Sequence, residues 1–178
     1  MQTYIVLLRG VMPTGKNRVP MAALREALTQ AGFEGVATWI QSGNAIVRTP
    51  LSPLETADRV REIIRADIGP ELAVIVKTPE DIARVLKENP FANEEWQERV
   101  FYGLYNHPLD GEKSRTALQK DYGEDRMAFT GHAAYLFIPG SAARSKLNNA
   151  LLEKVQGQSV TVRNRNTLMK MLEMAGGE

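Results

Sequence analysis

The sequence predicts an α+β protein made of two ferredoxin-like units, each with the order β-α-β-β-α-β, and a C-terminal helix. Three observations predict this class. Short apolar, β-branched runs alternate with segments whose apolar residues recur every three or four positions, as in amphipathic helices. Clusters of Gly, Pro, Asn and Ser separate these segments. The same order of elements occurs twice within 178 residues, a length that fits one compact domain or two small ones.

The first unit is expected over residues 1–78. The apolar run Tyr4–Leu8 predicts a buried strand that ends in a loop. Pro20 is expected at the first position of the following helix, where a proline loses no hydrogen bond, and Gly32 is expected to end that helix. The next elements are predicted as strand 36–41, strand 44–47, helix 55–68 and strand 72–77.

Residues 79–98 are expected to form a connecting helix and linker. Thr78 and Asp81 have the spacing of a capping box at its start, and Asn89-Pro90 ends it. The second unit, with the C-terminal helix, is expected over residues 99–178. Its elements are predicted as strand 100–105, a short helix around 114–120, a hairpin of strands 127–130 and 134–138, helix 145–155, strand 159–163 and a final helix capped by Asn164 or Asn166.

Composition excludes several functional classes. The chain has no cysteine, which excludes disulfides, thiolate metal sites and thiol catalysis. It has no apolar stretch of membrane-spanning length and no basic-then-apolar leader, so we expect a cytoplasmic protein without a membrane partner.

The net charge is only +1, but the basic and acidic residues are unevenly distributed along the chain. Residues 1–25 carry four basic residues and no acid, and residues 141–170 carry six basic residues and one acid. Residues 51–99 carry eleven acids against seven bases. The two basic segments could lie together in space; the alternative is a solvated surface with chance clustering.

The first loop contains a phosphate-binding pattern. Gly10 to Lys16 matches the P-loop spacing G-x-x-x-x-G-K after a strand. Asn17 replaces the Ser or Thr that would hold magnesium, and the helix is expected to begin at Pro20 rather than at Lys16, so a nucleoside triphosphate site is not predicted. A looser anion site would use the loop N–H groups with Lys16 and Arg18. The structural alternative is a tight loop in which Asn17 bonds to its own backbone.

Ser42-Gly43-Asn44 lies between the second and third predicted strands. The serine lacks the base, positioned by a third group, that a nucleophile needs, so turn formation explains this motif better than catalysis does. His107 and His132 are the only histidines, and they are too few and too far apart in the sequence to predict a metal site. No metal and no cofactor are predicted.

The segment from Arg163 to Thr167 joins the last predicted strand to the last helix. Its two guanidiniums and two amides can bind a phosphate at the start of a helix. The alternative is that Asn166 caps the helix while Arg163 pairs with an acid from the middle segment. Both interpretations stay open.

Four aromatic residues lie on predicted strands of the second unit: Tyr102, Tyr105, Tyr135 and Phe137. Aromatic residues on such sheets stack single-stranded bases in RNA-recognition modules. Residues 100–104, however, do not match the Lys/Arg-Gly-Phe-Gly-Phe pattern of those modules. Packing in the core, between the two sheets, is therefore the expected role.

Several short motifs extend over nearly the whole chain. They are Arg9-Gly10, Gly15-Lys16-Asn17, Val19-Pro20-Met21, Gln41-Ser42-Gly43-Asn44, Tyr135-Leu136, Pro139-Gly140, Ser145-Lys146-Leu147, and Arg163-Asn164 with Thr167 and Leu172. Together these motifs resemble the bacterial family called domain of unknown function 1697. The resemblance implies a fold but no established activity. The chain departs from the family pattern at Met12, where an Asn is usual, and at Arg165, where a Trp is usual, so ligand roles at those two positions do not carry over.

We predict non-catalytic binding of an anionic, phosphate-bearing small molecule or of nucleic acid at a basic surface. The alternative is a small-molecule enzyme with a polar cleft between the two units, although no nucleophile, metal cluster or acid–base pair is recognisable. The sequence does not decide whether a reaction is catalysed. The candidate binding residues are Arg9, Lys16, Asn17, Arg18, Arg163 and Asn164, with Ser42 and Asn44 as neutral donors.

Overall fold

The computed structural model describes residues 1–176 and confirms the predicted α+β class. The chain forms two compact units: Met1–Ile82 together with the segment that begins at Lys170, and Ala83–Met169. Each unit contains one four-stranded antiparallel sheet with helices, in the arrangement of a ferredoxin-like unit. None of the helices in the described part of the chain combines the length and hydropathy that crossing a membrane requires.

The sheet of the first unit has the strand order β2-β3-β1-β4, so the first and third strands are central. Its elements are β1 (Gln2–Leu8), α1 (Met21–Gln30), β2 (Glu34–Trp39), β3 (Asn44–Thr49), α2 (Pro53–Asp67) and β4 (Val74–Lys77). β1 pairs with β3 from Gln2 opposite Thr49 to Leu7 opposite Asn44. Alternate residues of the central strands, among them Val6 and Val47, face α1 and α2 and form the core of this unit.

Local signals in the sequence set the helix ends. α1 ends where Gly32 adopts a φ of 96° and the Phe33 N–H donates to the Leu28 carbonyl, which is the closing bond of a Schellman motif. α2 begins with a capping box between Ser52 and Glu55. The prediction for Pro20 was wrong by one position: its backbone is extended, so it is the N-cap and α1 begins at Met21, whose N–H donates to Gln41.

The sheet of the second unit repeats the first, with the order β6-β7-β5-β8. Its elements, after α3 (Pro79–Lys87), are β5 (Val100–Tyr105), α4 (Gly111–Leu118), β6 (Arg126–Phe129), β7 (Ala133–Phe137), α5 (Asn149–Gln156), β8 (Val160–Asn164) and α6 (Arg165–Met174). The predicted capping box starts α3, because Thr78 and Asp81 exchange side-chain-to-backbone bonds of 3.1 and 3.0 Å. The division into units falls within α3 and α6.

The helix predicted over residues 145–155 begins four residues later than expected. Ser145 forms a local turn instead, since its Oγ accepts from the Leu147 N–H at 3.0 Å and donates to Asp125 at 2.6 Å. Asn148 then caps α5 by accepting from the Leu151 N–H. The apolar spacing of Leu147 with the later helix residues, which suggested one continuous helix, therefore spans a turn and a helix.

Candidate functional site

One end of the first sheet gathers the first loop and the turn between β2 and β3. The Leu8 N–H, at the end of β1, donates to the Gly43 carbonyl at 2.8 Å. The next N–H, that of Arg9, donates to the Ala73 carbonyl at 3.0 Å, just before β4. Because neighbouring strands are antiparallel, Arg9, the loop after it and the turn containing Ser42 lie at this same end. Six of the eight predicted site residues belong to this region.

The first loop (residues 10–20) presents its cations on a tight turn. The Met12 N–H donates to the Asn17 carbonyl at 3.0 Å, which closes the loop on itself. The Arg18 N–H donates to the Gly15 carbonyl at 3.3 Å, so Lys16 and Asn17 are the two central residues of a β-turn. Lys16 and Arg18 are exposed, and Asn17 is half-buried.

Gly15 makes this turn possible, since its φ of 81° lies in the left-handed region. α1 begins only at Met21, so the first turn of the helix does not start at Lys16 as it does in a P-loop. This geometry agrees with the physical reason for predicting no triphosphate site at Lys16. Ligand binding itself stays a prediction.

The turn after β2 fixes the loop at its far end. Gln41 donates from Nε2 to the Val19 carbonyl at 2.6 Å and accepts the Met21 N–H at Oε1, 3.3 Å away. One side chain therefore holds the end of the loop and supplies the first hydrogen bond of α1. Sequence analysis treated Gln41 only as part of a motif, because its partners are 20 and 22 residues away in the sequence.

Asn44 holds the same turn together from inside. Its side chain is fully buried, and Nδ2 donates to the Trp39 carbonyl at 3.2 Å and to Ser42 Oγ at 2.9 Å. Burial makes Asn44 unsuitable as a direct ligand donor in this conformation, so the prediction of a neutral donor needs correcting here to a positioning role. Ser42 is exposed and stays a candidate donor.

Two residues of the turn have unusual backbones. Gly43 has a φ of 85°, and a Cβ there would lie 2.8 Å from Leu8 Cβ and 2.9 Å from Val11 Cγ2. Ile40 has a φ of 47°, the one positive φ at a non-glycine residue within the described chain. For a β-branched residue this conformation is strained, and such strain persists only where surrounding contacts impose it.

Arg163 and Asn164 belong to the second unit. Arg163 lies opposite Tyr102 in the pairing of β8 with β5, on the sheet face away from α4 and α5. Its Nη1 donates to Thr161 Oγ1 at 2.5 Å and to the Val162 carbonyl at 3.1 Å, and burial lowers the pKa of its guanidinium to about 10. It stays protonated at neutral pH and is held in place by its own strand.

Asn164 caps α6. Its Oδ1 accepts the Thr167 N–H at 2.8 Å, which resolves the choice between Asn164 and Asn166 in favour of Asn164. Arg163 and Asn164 are therefore adjacent at the junction of β8 and α6. Their convergence with the first loop stays a prediction.

The aromatic residues of the second sheet are buried, as expected for core packing. Tyr102 and Tyr135 stack edge to face, with ring centroids 5.6 Å apart. Tyr135 donates to the Val85 carbonyl at 2.8 Å, and Asn89 donates to the Tyr102 hydroxyl at 3.3 Å. Burial raises the pKa of Tyr135 to about 12, so both hydroxyls are neutral near pH 7. These rings are not available to stack on a base.

Sequence analysis missed Trp39, which ends β2 directly before the turn. The residue is 37% exposed, and Lys170 Nζ lies 5.0 Å from its ring centroid. The available signal for Trp39 was its closeness to the Gln-Ser-Gly-Asn motif, which begins two residues later. Nothing in the sequence connects it with Lys170. Within residues 1–176, no group of three or more His, Asp or Glu side chains is placed to hold a metal ion.

Comparison with known proteins gives a family and a fold. The family model described as "Protein of unknown function (DUF1697)" matches residues 1–135. The structure of a conserved bacterial protein, SP0830 from Streptococcus pneumoniae, is similar over 97% of this chain and 98% of that chain, with a TM-score of 0.76 and 23% sequence identity. At that identity the likeness shows a shared fold. No curated protein matches the chain.

Proposed function

The chain belongs to the family described as "Protein of unknown function (DUF1697)", and we propose that its first unit binds phosphate groups at the loop between β1 and α1. The ligand is a phosphate-bearing small molecule or a nucleic acid, and binding is not coupled to catalysis. One observation carries this proposal: Lys16 and Arg18 are exposed on the tight Gly15–Arg18 turn, in a segment of 25 residues without an acid.

The charge pattern supports an anionic ligand. Lys16 and Arg18 make no side-chain hydrogen bond or ion pair with any other residue in the described part of the chain, so binding a phosphate breaks no existing ion pair of theirs. Arg9 adds a third positive charge at the base of the loop. Two unit charges about 4 Å apart near a protein surface attract each other by about 4 kcal/mol, and a glycine-rich backbone allows the close approach that this attraction requires.

The contacts that hold the loop in one conformation favour a ligand-binding role over a loop that is merely solvated. Gln41 fixes the end of the loop, Gly43 packs against Val11 near its start, and Asn44 holds the supporting turn. A loop ordered before binding loses less conformational entropy when a ligand arrives. Ser42, exposed on that turn, supplies a neutral donor beside the cations.

Arg163 and Asn164 form the second part of this proposal. A guanidinium has five N–H donors and recognises phosphate bidentately. The bonds of Arg163 within β8 hold it in one orientation, which reduces the entropy lost on binding. We propose that it contacts a phosphate group as well.

The test is titration of fluorescently labelled single-stranded RNA and DNA at about 50 mM and about 200 mM salt, followed by anisotropy. Each neutralised phosphate contributes about −0.7 to the log–log slope of affinity against salt for a single strand. Changing Lys16 and Arg18 together to Ala should therefore weaken binding and make the slope shallower by about 1.4.

The matched control changes Arg48 and Arg59 to Ala. Both are exposed residues of the first unit, Arg48 near the end of β3 and Arg59 on α2. Their replacement removes two positive charges, as the Lys16 and Arg18 double variant does. The control should bind almost like the wild type. No binding of RNA, DNA or inorganic polyphosphate at low salt, or equal losses in the two double variants, would refute the phosphate-binding loop.

A further inference from the structure

Trp39 is an exposed aromatic residue at the end of the sheet that carries the basic loop. It lies opposite Asn44, which lies opposite Leu7, so its side chain is on the sheet face away from α1 and α2. Trp39 is 37% exposed as a residue, although Trp residues are on average largely buried. Neither the predicted phosphate site nor the core of the unit explains this exposure.

Trp39 lies at the start of the turn that supports the loop. Its carbonyl accepts from Asn44, and Gln41, two residues further on, bonds to both Val19 and Met21. Two residues of chain span at most about 7 Å, so the Trp39 Cα lies within that distance of the Cα of Gln41, whose side chain fixes the end of the loop. Ile40, between them, is strained at a φ of 47° and 53% exposed.

A cation already lies over the ring. Lys170 Nζ, from α6, is 5.0 Å from the ring centroid, a cation–π contact, and 3.3 Å from Glu173 Oε1. An aromatic face beside a positive charge is the combination that single-strand binding proteins use, with a base on the ring and a phosphate on the cation. Glu173, whose side chain is 73% exposed, opposes the phosphate in that arrangement.

We propose that Trp39 is a base-stacking position, and that the ligand of the basic loop is single-stranded nucleic acid. The phosphates lie along Lys16 and Arg18, and a base stacks on the indole face opposite the one that Lys170 covers. This inference rests on the proposed phosphate-binding function and adds the ligand class to it. Trp39 is exposed enough to contact a base, whereas the tyrosines of the second sheet are buried.

The alternative ligand for an exposed Trp and Ile near a basic loop is an anionic membrane surface. Inserting this ring into lipid would also carry the Lys170–Glu173 ion pair out of water, and desolvating an ion pair costs more than its attraction returns. A base stacked on the ring face opposite Lys170 leaves that ion pair in water. The geometry therefore favours nucleic acid.

The first experiment uses Trp emission, because the chain has only two tryptophans, Trp39 and Trp96. Trp96→Phe leaves Trp39 as the reporter, and Trp39→Phe leaves Trp96, which is 51% exposed in the second unit, as the matched control. Oligo(U) or oligo(dT) should quench Trp39 and leave Trp96 unchanged. Inorganic polyphosphate should bind without quenching Trp39.

The second experiment compares affinities. Loss of a stacked base corresponds to a decrease of about 5- to 150-fold, so Trp39→Ala should weaken oligonucleotide binding by that factor and leave polyphosphate binding unchanged. Trp39→Phe should lose less, since it retains a ring. Glu173→Gln should tighten oligonucleotide binding, because it removes the carboxylate beside the ring.

Distinct outcomes separate this inference from the function on which it rests. If oligonucleotides bind in a Lys16- and Arg18-dependent way but Trp39 is not quenched at saturation, the stacking position is wrong and the phosphate site stands. If neither oligonucleotide nor polyphosphate binds, both proposals fall. A blue shift of Trp39 with vesicles of phosphatidylcholine and phosphatidylserine, without quenching by oligonucleotide, would replace nucleic acid with a membrane surface.

Discussion

Replacing Gly43 by Ala tests whether the turn after β2 is built around a close backbone contact. A Cβ at this position would lie 2.8 Å from Leu8 Cβ and 2.9 Å from Val11 Cγ2. Leu8 is buried on a central strand and its N–H donates to the Gly43 carbonyl, so neither side can move without weakening the sheet. A left-handed φ costs a non-glycine residue about 1–2 kcal/mol, and overpacking adds about 1–3 kcal/mol, which gives a total of about 2–5 kcal/mol.

Gly15→Ala is the matched control. Its φ of 81° is close to the 85° of Gly43, but a Cβ there meets nothing within 4 Å. It should therefore cost only the conformational part, about 1–2 kcal/mol. The difference between the two variants, about 1–3 kcal/mol, measures the contact.

The assay is urea unfolding monitored by Trp39 emission in the Trp96→Phe background. This reporter lies four residues from Gly43 and in the first unit, so the measurement stays local even if the two units unfold separately. Because the same turn supports the loop, Gly43→Ala should also weaken oligonucleotide binding at temperatures where the unit remains folded. If Gly43→Ala costs no more than Gly15→Ala, the close contact does not determine the conformation of the turn.

Three further predictions concern stability and the second unit. Burial raises the pKa of Tyr135 from 10.0 to about 12, so between these two pH values the unfolded state has released the proton and the folded state retains it. The free energy of unfolding should therefore fall by about 1.4 kcal/mol per pH unit as pH rises between these values. Tyr135→Phe should reduce that slope in urea titrations. Ser52→Ala should lower thermal stability by about 1 kcal/mol by removing the cap of α2, whereas Ser52→Gly should cost a few tenths. Arg163→Ala should make the salt slope of oligonucleotide affinity shallower by about 0.7, and Lys154→Ala, an exposed charge on α5, should not.

The order of elements could be predicted because its signals are local. Apolar periodicity identified the strands and the amphipathic helices, and Gly32 and the Thr78–Asp81 box marked helix ends that the structure confirms. The start of α5 was predicted too early because Leu147 fits the helical spacing. What ends the pattern there is the bond of Ser145 to Asp125, 20 residues away in the sequence, which no local periodicity reports.

The site was predictable only in part, for the same reason. Charge and glycine content identified the loop with Lys16 and Arg18 from a short segment. The roles of Gln41 and Asn44 depend on which backbone groups the fold brings next to them, so the sequence could show that they form a motif but not that they build the turn. Trp39 gains its significance from Lys170, at the other end of the chain.

These assignments divide the Gln-Ser-Gly-Asn region into residues that build and residues that can contact a ligand. Gln41 uses its amide on the loop and the helix, and Asn44 is buried. If Asn44 contacted the ligand, its replacement would act mainly on affinity; if it only builds the turn, Asn44→Ala would weaken the fold and oligonucleotide binding together. Lys16 and Arg18, which are exposed, should affect affinity without changing stability. Measuring both quantities for both groups of variants distinguishes a built anion site from a basic loop that is charged by chance.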